Sequence, residues 1–221
     1  MDTICSICKS TEFKEGYGGR LSITGKNPTC VNCGSVERHR IIYSMYEALV
    51  PITKNLKVLH FAPDITLNQE NFAHYEGSTY GGKNSLDMMN TKLPENSFDI
   101  VVSNHVLEHI KDQFKAIREM IRVVGKEGVV HICIPSPSQV LRTRDWGFAN
   151  EKKSYHFRWY GADAGIIFRK AMEGLHIMVA IGEDSATNTK DLVFWLSLSS
   201  KSLDDIGNLL LDNSFTIVFI S

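Results

Sequence analysis

From Leu56 onward, short apolar runs alternate with segments whose apolar residues recur every three or four positions. The runs LKVLHF, HYEGSTY, SFDIVVS, GVVHICIP, GLHIMVAI and DLVFWLSLS have the length and β-branched content of strands. Helices are expected near residues 67–74, 112–124 and 161–173. The second is the most regular, with Phe114, Ile117, Met120, Ile121 and Val124 on one face and Asp112 placed to cap it. Such alternation predicts an α/β, Rossmann-like architecture: a mostly parallel sheet with helices on both faces. Only EDSATNTK separates the last two runs, too little for a crossover helix, so they should pair as a C-terminal antiparallel hairpin. Upstream, GSVERHRIIYSMYEALV sets Ile41, Ile42, Met45 and Leu49 at helical spacing, with Ser35 as the expected N-cap and Glu37 in the first turn. The last segment, SLDDIGNLLLDNSFTIVFIS, fits either a helix and strand added to the sheet edge or a poorly packed tail.

With 221 residues, 43% hydrophobic and 22% charged, the chain has material for one substantial core and a small appendage. No apolar run reaches the roughly 18 residues of a membrane span, and MDTICSICKS lacks the basic start and apolar centre of a signal peptide. A cytoplasmic protein with no membrane partner is therefore expected. A net charge of −1 provides no overall attraction for nucleic acid, which makes nucleic acid an unlikely partner. The expected organisation is a zinc-binding knuckle over 1–35, a linking helix over 36–55, an α/β core over 56–200 and a C-terminal extension over 201–221.

The knuckle rests on Cys5-x-x-Cys8 and Cys30-x-x-Cys33. Two such pairs in a cytosolic chain wrap one soft cation tetrahedrally, which points to structural zinc, since four thiolates leave no open position for catalysis. Disulfides and a redox CxxC pair fit less well, the first for want of an oxidising compartment. About 35 residues bury too little apolar surface to fold alone, so the metal would supply their stability.

Chemistry concentrates in SFDIVVSNHVLEHIKD, where an apolar strand runs into the polar turn Ser103-Asn104-His105 and on to Glu108 and His109. Polar residues at the C-terminal lip of a buried strand are where open α/β sheets bind ligands. The longer block LDMMNTKLPENSFDIVVSNHVLEHIKDQFKAIREMIRVVGKEGVVHICIP resembles the core of class I S-adenosylmethionine-dependent methyltransferases. It has their acidic residue followed by a hydrophobe, their FD strand, their LEH turn, and their helix ending in RV before a glycine and the next strand. With the cysteine pairs, CGSVERHR and HFRWYGAD, the chain resembles a bacterial subfamily of such enzymes that carries an N-terminal zinc knuckle.

The resemblance implies a seven-stranded sheet with S-adenosylmethionine bound over the first strands. Asp87 would hold the adenine amino group, Met88 would pack on the ring, and Asn104 and His105 would line the methionine end. His60, Phe61 and Ala62 stand where the family has its Gly-rich turn. Here the chain departs from the pattern, with Ala62 and Pro63 in place of glycines and Ser78 or Thr79 in place of the usual ribose-binding acid.

His105-Val-Leu-Glu108-His109 also matches the H-x-x-E-H form of zinc proteases, but it follows a strand directly and lacks that motif's long helix. It is more similar to the E-x-x-E-H turn of metal-dependent 2′-O-methyltransferases, which pair it with a later H-x-F-x-W-like segment. Tyr155-His156-Phe157-Arg158-Trp159 resembles that segment, so Glu108, His109 and His156 form a candidate second divalent-metal site. The expected activity is methyl transfer to an oxygen of a small polar or glycan-related acceptor. His105, His109 and Glu108 are the candidate catalytic residues, and Arg38, Arg40, Arg142, Arg144, Arg158 and Tyr160 the candidate acceptor contacts. The alternatives are a degenerate fold serving as a zinc-containing binding module and 2′-O-methylation of an RNA end. His131, Cys133 and Trp195 read as core.

Overall fold

The computed structural model describes residues 3–135 and 137–220; Ser136, between Pro135 and Pro137 in the sequence, lies outside them. In chain order the elements are β1 (Phe13–Lys14), β2 (Thr29–Cys30), α1 (Glu37–Thr53), β3 (Lys57–Phe61), β4 (His74–Ser78), β5 (Ile100–Asn104), α2 (Gln113–Val124) and β6 (Val129–Cys133). They continue with β7 (Arg144–Asn150), β8 (His156–Trp159), α3 (Ala164–Arg169), β9 (His176–Glu183), β10 (Lys190–Ser197), α4 (Ser200–Asp212) and β11 (Thr216–Ile220).

Seven strands make one mixed sheet in the order β11-β9-β10-β6-β5-β3-β4. β4, β3, β5 and β6 are mutually parallel, while β10 is antiparallel to both β6 and β9. The central strands read as unbroken apolar runs because both of their faces are covered. On one face α2 and α3 pack Ile117, Met120, Ile121 and Phe168 against Val101, Val130 and Phe194. On the other, α1 and α4 pack Ile42, Met45, Leu49 and Leu203 against Ile100, Val102 and Trp195. The α/β sheet, the antiparallel β9–β10 hairpin and the core positions of His131, Cys133 and Trp195 match the pattern read from the sequence. Residues 200–220 complete this layering by adding α4 beneath the sheet and β11 to its edge.

Three local expectations are corrected. The segment near 67–74 makes only a single 3-10 turn, Gln69–Asn71, because the Asn68 side chain accepts a hydrogen bond from Glu70 N and turns the chain straight into β4. The helix expected over 161–173 shortens to Ala164–Arg169. Its approach is fixed by Gly161, where a Cβ would lie 2.6 Å from the Arg142 backbone carbon. Helix α1 is N-capped by Val36 rather than Ser35. The Ser35 carbonyl and hydroxyl instead accept hydrogen bonds from Arg40 Nη1, at 2.9 and 3.3 Å.

Arg40, expected at the acceptor site, is a buried structural cation. Its guanidinium forks onto Asp184 in the β9–β10 turn at 2.8 and 2.7 Å, with both side chains 1% exposed. This pair ties the knuckle, the start of α1 and the hairpin turn together. Lys26 adds a contact to Asn188 at 2.6 Å, and Thr24 one to the Thr187 carbonyl.

Two core histidines give the fold a defined acid sensitivity. His131 is fully buried, meets the Tyr46 hydroxyl at 3.1 Å, and is pushed down to about 3 by burial. His60 is pushed down to about 4 by the same cause, although Asp64 opposes the shift. Both folded values lie below the unfolded value near 6.5, so the unfolded chain takes up protons first. Their stabilisation is complete above about pH 6.5 and is lost as pH falls towards 4, by at most about 1.4 kcal/mol per pH unit for each histidine. Urea unfolding between pH 7 and pH 5 should show this loss, and His131→Leu should make the slope shallower.

Candidate functional site

A cleft of about 810 Å³ opens across the C-terminal ends of β3, β4 and β5. Its first wall is Phe61 and Ala62. Ala62 leaves β3 with φ 50°, a left-handed conformation, and its N–H donates to the Ser78 carbonyl at 2.8 Å. That conformation costs a non-glycine residue about 1–2 kcal/mol, so the turn survives because its surroundings hold it. Gly77 is part of that hold: a Cβ there would sit 2.7 Å from Pro63 Cγ, so only glycine lets Pro63 seat against β4. The chain thus reaches through alanine and proline a bend that glycine more usually makes.

The middle of the cleft is formed by Ser78, Tyr80 and residues 85–89. The Ser78 hydroxyl accepts from Leu86 N at 3.0 Å, and Asp87 Oδ1 accepts from Met89 N at 2.8 Å. This tight turn presents Asp87 at the exposed mouth and turns Met88 inward, 2% exposed.

The far wall begins at His105, which also has a left-handed φ of 53° and is anchored through its N–H to the Cys133 carbonyl at 2.9 Å. The 3-10 turn Leu107–His109 follows. Glu108 is 1% exposed, and neither carboxylate oxygen has a hydrogen-bond partner among the described residues. Burial pushes its carboxyl up to about 7, against the opposing charges of Arg38 and Arg158. His105 Nδ1 lies 3.9 Å from Glu108 Oε1, and its Nε2 is buried and unpartnered. Burial, followed by the charge of Arg38, pushes His105 down to about 3. At neutral pH this imidazole is uncharged.

The β7–β8 hairpin roofs the cleft with Ala149, Tyr155 and Phe157. Arg158 holds it down, donating to the Ile110 and Lys111 carbonyls at 2.7 and 2.8 Å and to Asp145 Oδ2 at 2.9 Å. The same anchoring brings His156 edge-on to His109, with ring centroids 4.5 Å apart. Ligand-capable atoms of Glu108, His109 and His156 all lie within 4.8 Å of one another, although almost fifty residues separate the segments. Burial holds both imidazoles below their ordinary range.

Of the residues singled out from sequence, Phe61, Ala62, Asp87, Met88, His105 and His109 line the cleft. His60 does not: it is buried against the Tyr75 hydroxyl at 2.9 Å. Asn104 also turns away, its amide donating to Thr66 Oγ1 at 3.0 Å. Thr79 is exposed in the turn beyond β4, outside the cleft wall that its neighbours Ser78 and Tyr80 help to form. Arg158 and Tyr160 are structural, the latter 1% exposed and donating to Gln113 Oε1 at 2.7 Å. Arg142 and Arg144 lie in a separate hollow. Arg38 is half-buried, and its charge bears on His105, Glu108 and Asp191. Tyr155 and Phe157 were missed as cleft residues; flanking His156 was their only signal.

In the knuckle, Cys5 and Cys33 Sγ lie 3.7 Å apart and Cys8 and Cys30 Sγ 3.5 Å apart, with all four thiols in one cluster. No helix is long and apolar enough to cross a membrane among the described residues.

Residues 53–132, which contain β3 to β5, α2 and most of β6, match the family model for a methyltransferase domain. A 46-residue stretch, 21% of the chain, is 39% identical to ajmaline N-methyltransferase of Rauvolfia serpentina and spans 16% of that protein. Among solved structures, a SAM-dependent methyltransferase from Aquifex aeolicus is 13% identical, covering 72% of this chain and 90% of that one with a TM-score of 0.46. One from Thermotoga maritima is 15% identical, covering 73% and 91% with a TM-score of 0.45. The strands whose ends wall the cleft thus lie within the stretch that matches a methyltransferase domain.

Proposed function

We propose that the chain transfers the methyl group of S-adenosylmethionine to a hydroxyl oxygen of a small polar or glycan-related acceptor. One arrangement supports this above all: a cleft at the C-terminal lip of the methyltransferase strands with Asp87 at its mouth and His105 at its other wall. The cleft's volume is of the size that takes a cofactor, and its Met88 and Phe61 surfaces suit an aromatic base. Asp87 would accept from the adenine amino group, and the left-handed turn at Ala62 would let backbone approach the sugar. The cofactor supplies an electrophilic methyl on a sulfonium, displaced in line with the bond pair returning to sulfur.

The protein's own contribution is positioning and proton removal. His105, which lines the cleft, is the group that takes the hydroxyl proton. Glu108, 3.9 Å from Nδ1, stabilises the imidazolium that forms. Arg38 orients an electron-rich part of the acceptor beside these groups. The Tyr155–Phe157 roof excludes water from the transfer.

A second reading for Glu108 is favoured by its two unpartnered buried oxygens beside His109 and His156. One carboxylate and two neutral imidazoles suit a divalent cation with positions left for oxygen ligands. Such an ion would act as a Lewis acid on the acceptor oxygen. For the knuckle, tetrahedral Zn–S bonds of about 2.3 Å require sulfur separations of about 3.8 Å. The observed 3.5 and 3.7 Å fit a structural zinc held by Cys5, Cys8, Cys30 and Cys33.

Calorimetry with S-adenosylmethionine and with its demethylated product is the test. Binding should be measurable and should weaken by about tenfold in Asp87→Ala, as for a lost charge-assisted hydrogen bond. Absence of heat for either ligand at about 1 mM would favour a binding module over an enzyme. Elemental analysis should find one tightly held zinc, lost in Cys30→Ser. Added manganese should bind a second site that disappears in His156→Ala; parent protein without zinc, or with manganese binding unchanged in that variant, would remove the corresponding metal.

A further inference from the structure

A second hollow, of about 310 Å³, shares no lining residue with the cleft. It is formed by Val140, Arg142, Arg144, Trp146, Lys153 and Trp159. Three cations and two indoles thus face one small space, with no carboxylate among them. The Arg144 guanidinium lies 5.7 Å from the Trp146 ring centroid and Lys153 Nζ lies 5.6 Å from that of Trp159. Two acids beside the hollow's lining segments are engaged elsewhere. Asp145 takes Arg158, and Asp163 takes the Thr143 N–H and hydroxyl at 2.7 and 2.6 Å. Among the described residues, Arg142, Arg144 and Lys153 have no ion-pair partner.

The hollow is built on a fixed base. Gly161 packs against the 142–143 backbone so closely that a Cβ would meet Thr143 N at 2.9 Å. Its own N–H donates to Thr143 Oγ1 at 3.0 Å, and Ala162 N donates to the Val140 carbonyl at 2.8 Å. Arg144 and Trp159 are direct cross-strand partners in the hairpin, so cation and indole are held side by side. The Trp159 Nε1 is buried without a partner, leaving one donor unused.

We propose that this hollow is a binding site for a phosphorylated ring compound. Its phosphate sits among Arg142, Arg144 and Lys153, and its ring lies against Trp146 or Trp159. Guanidinium forks match phosphate oxygens in pairs, and a dianionic phosphate offsets three clustered cations better than a carboxylate does. Indole faces stack on nucleobases and cover sugar rings. The volume lies at the small end of ligand pockets, suited to a phosphate with one ring. The site stands apart from the methyl-transfer reading and does not depend on it.

Sugar phosphates and nucleotides share this chemistry, and titration of the full chain distinguishes them. Trp195 is fully buried on the other side of the sheet, so ligand-dependent fluorescence reports on Trp146 and Trp159. Glucose 1-phosphate, uridine monophosphate and inorganic phosphate are titrated separately at a constant ionic strength of about 0.15 M. At least one ring phosphate should quench saturably with a dissociation constant below about 1 mM, at least tenfold tighter than inorganic phosphate. The tighter of the two names the source. Arg144→Gln on β7 and Lys153→Gln in the 3-10 turn Glu151–Lys153, both exposed, should each weaken binding about tenfold, as for a lost charge-assisted contact. Absence of saturable quenching by either ring phosphate, inorganic phosphate binding as tightly as both, or parental affinity in both variants would overturn the proposal.

Discussion

The candidate site depends on one side chain that touches no reacting atom, Arg158. Its guanidinium joins β8 to the carbonyls that end the Leu107–His109 turn and to Asp145 on β7. The strands β3, β4 and β5 alone supply an open lip. Only with the hairpin drawn down does that lip become a roofed cleft, and only then does His156 meet His109 and Glu108. Carbonyl ends of a 3-10 turn are otherwise hard to satisfy in a buried place. A planar fork of donors answers that need, so the same contacts stabilise the turn and position the chemistry.

Unfavourable local features gather where the cleft is made. Ala62 and His105 both hold left-handed backbone at the ends of neighbouring parallel strands. Glu108 and His105 keep buried polar atoms unpaired. Each carries a free-energy penalty, and such features persist at sites where a ligand or a reaction uses them. The Arg40–Asp184 pair is the contrasting case. It is equally buried but fully hydrogen-bonded, and it fastens the knuckle and hairpin turn to the scaffold.

Much of this was legible in the sequence because its cause is local. Apolar runs of strand length gave the sheet, the short EDSATNTK link gave the antiparallel hairpin, and Asp112 capped α2 as its spacing implied. The lip residues Asp87, Met88, His105 and His109 were visible from the block that resembles class I enzymes. Arginine roles were not legible, since sequence does not distinguish a guanidinium reaching solvent from one folded back on carbonyls. Arg40 and Arg158 became structural only through Asp184 and through the 107–111 turn, 144 and about 50 residues away. Alternation along β3 was equally silent about His60, which turns to Tyr75 while Phe61 faces the cleft. The β7–β8 hairpin was missed because Arg144–Asn150 is mostly exposed and polar, with too little alternation to announce a strand.

The most direct test of the Arg158 clamp is Arg158→Lys, which keeps the charge but cannot fork onto two carbonyls and Asp145 together. Limited chymotrypsin digestion after Trp146, Phe148 and Tyr155, followed alongside calorimetry with the demethylated cofactor product, reads the roof and the cleft at once. Loss of the clamp predicts cleavage at least about tenfold faster and a parallel loss of affinity with the far-ultraviolet dichroism unchanged. Digestion and affinity both equal to the parent's would show that the hairpin is held by something other than Arg158.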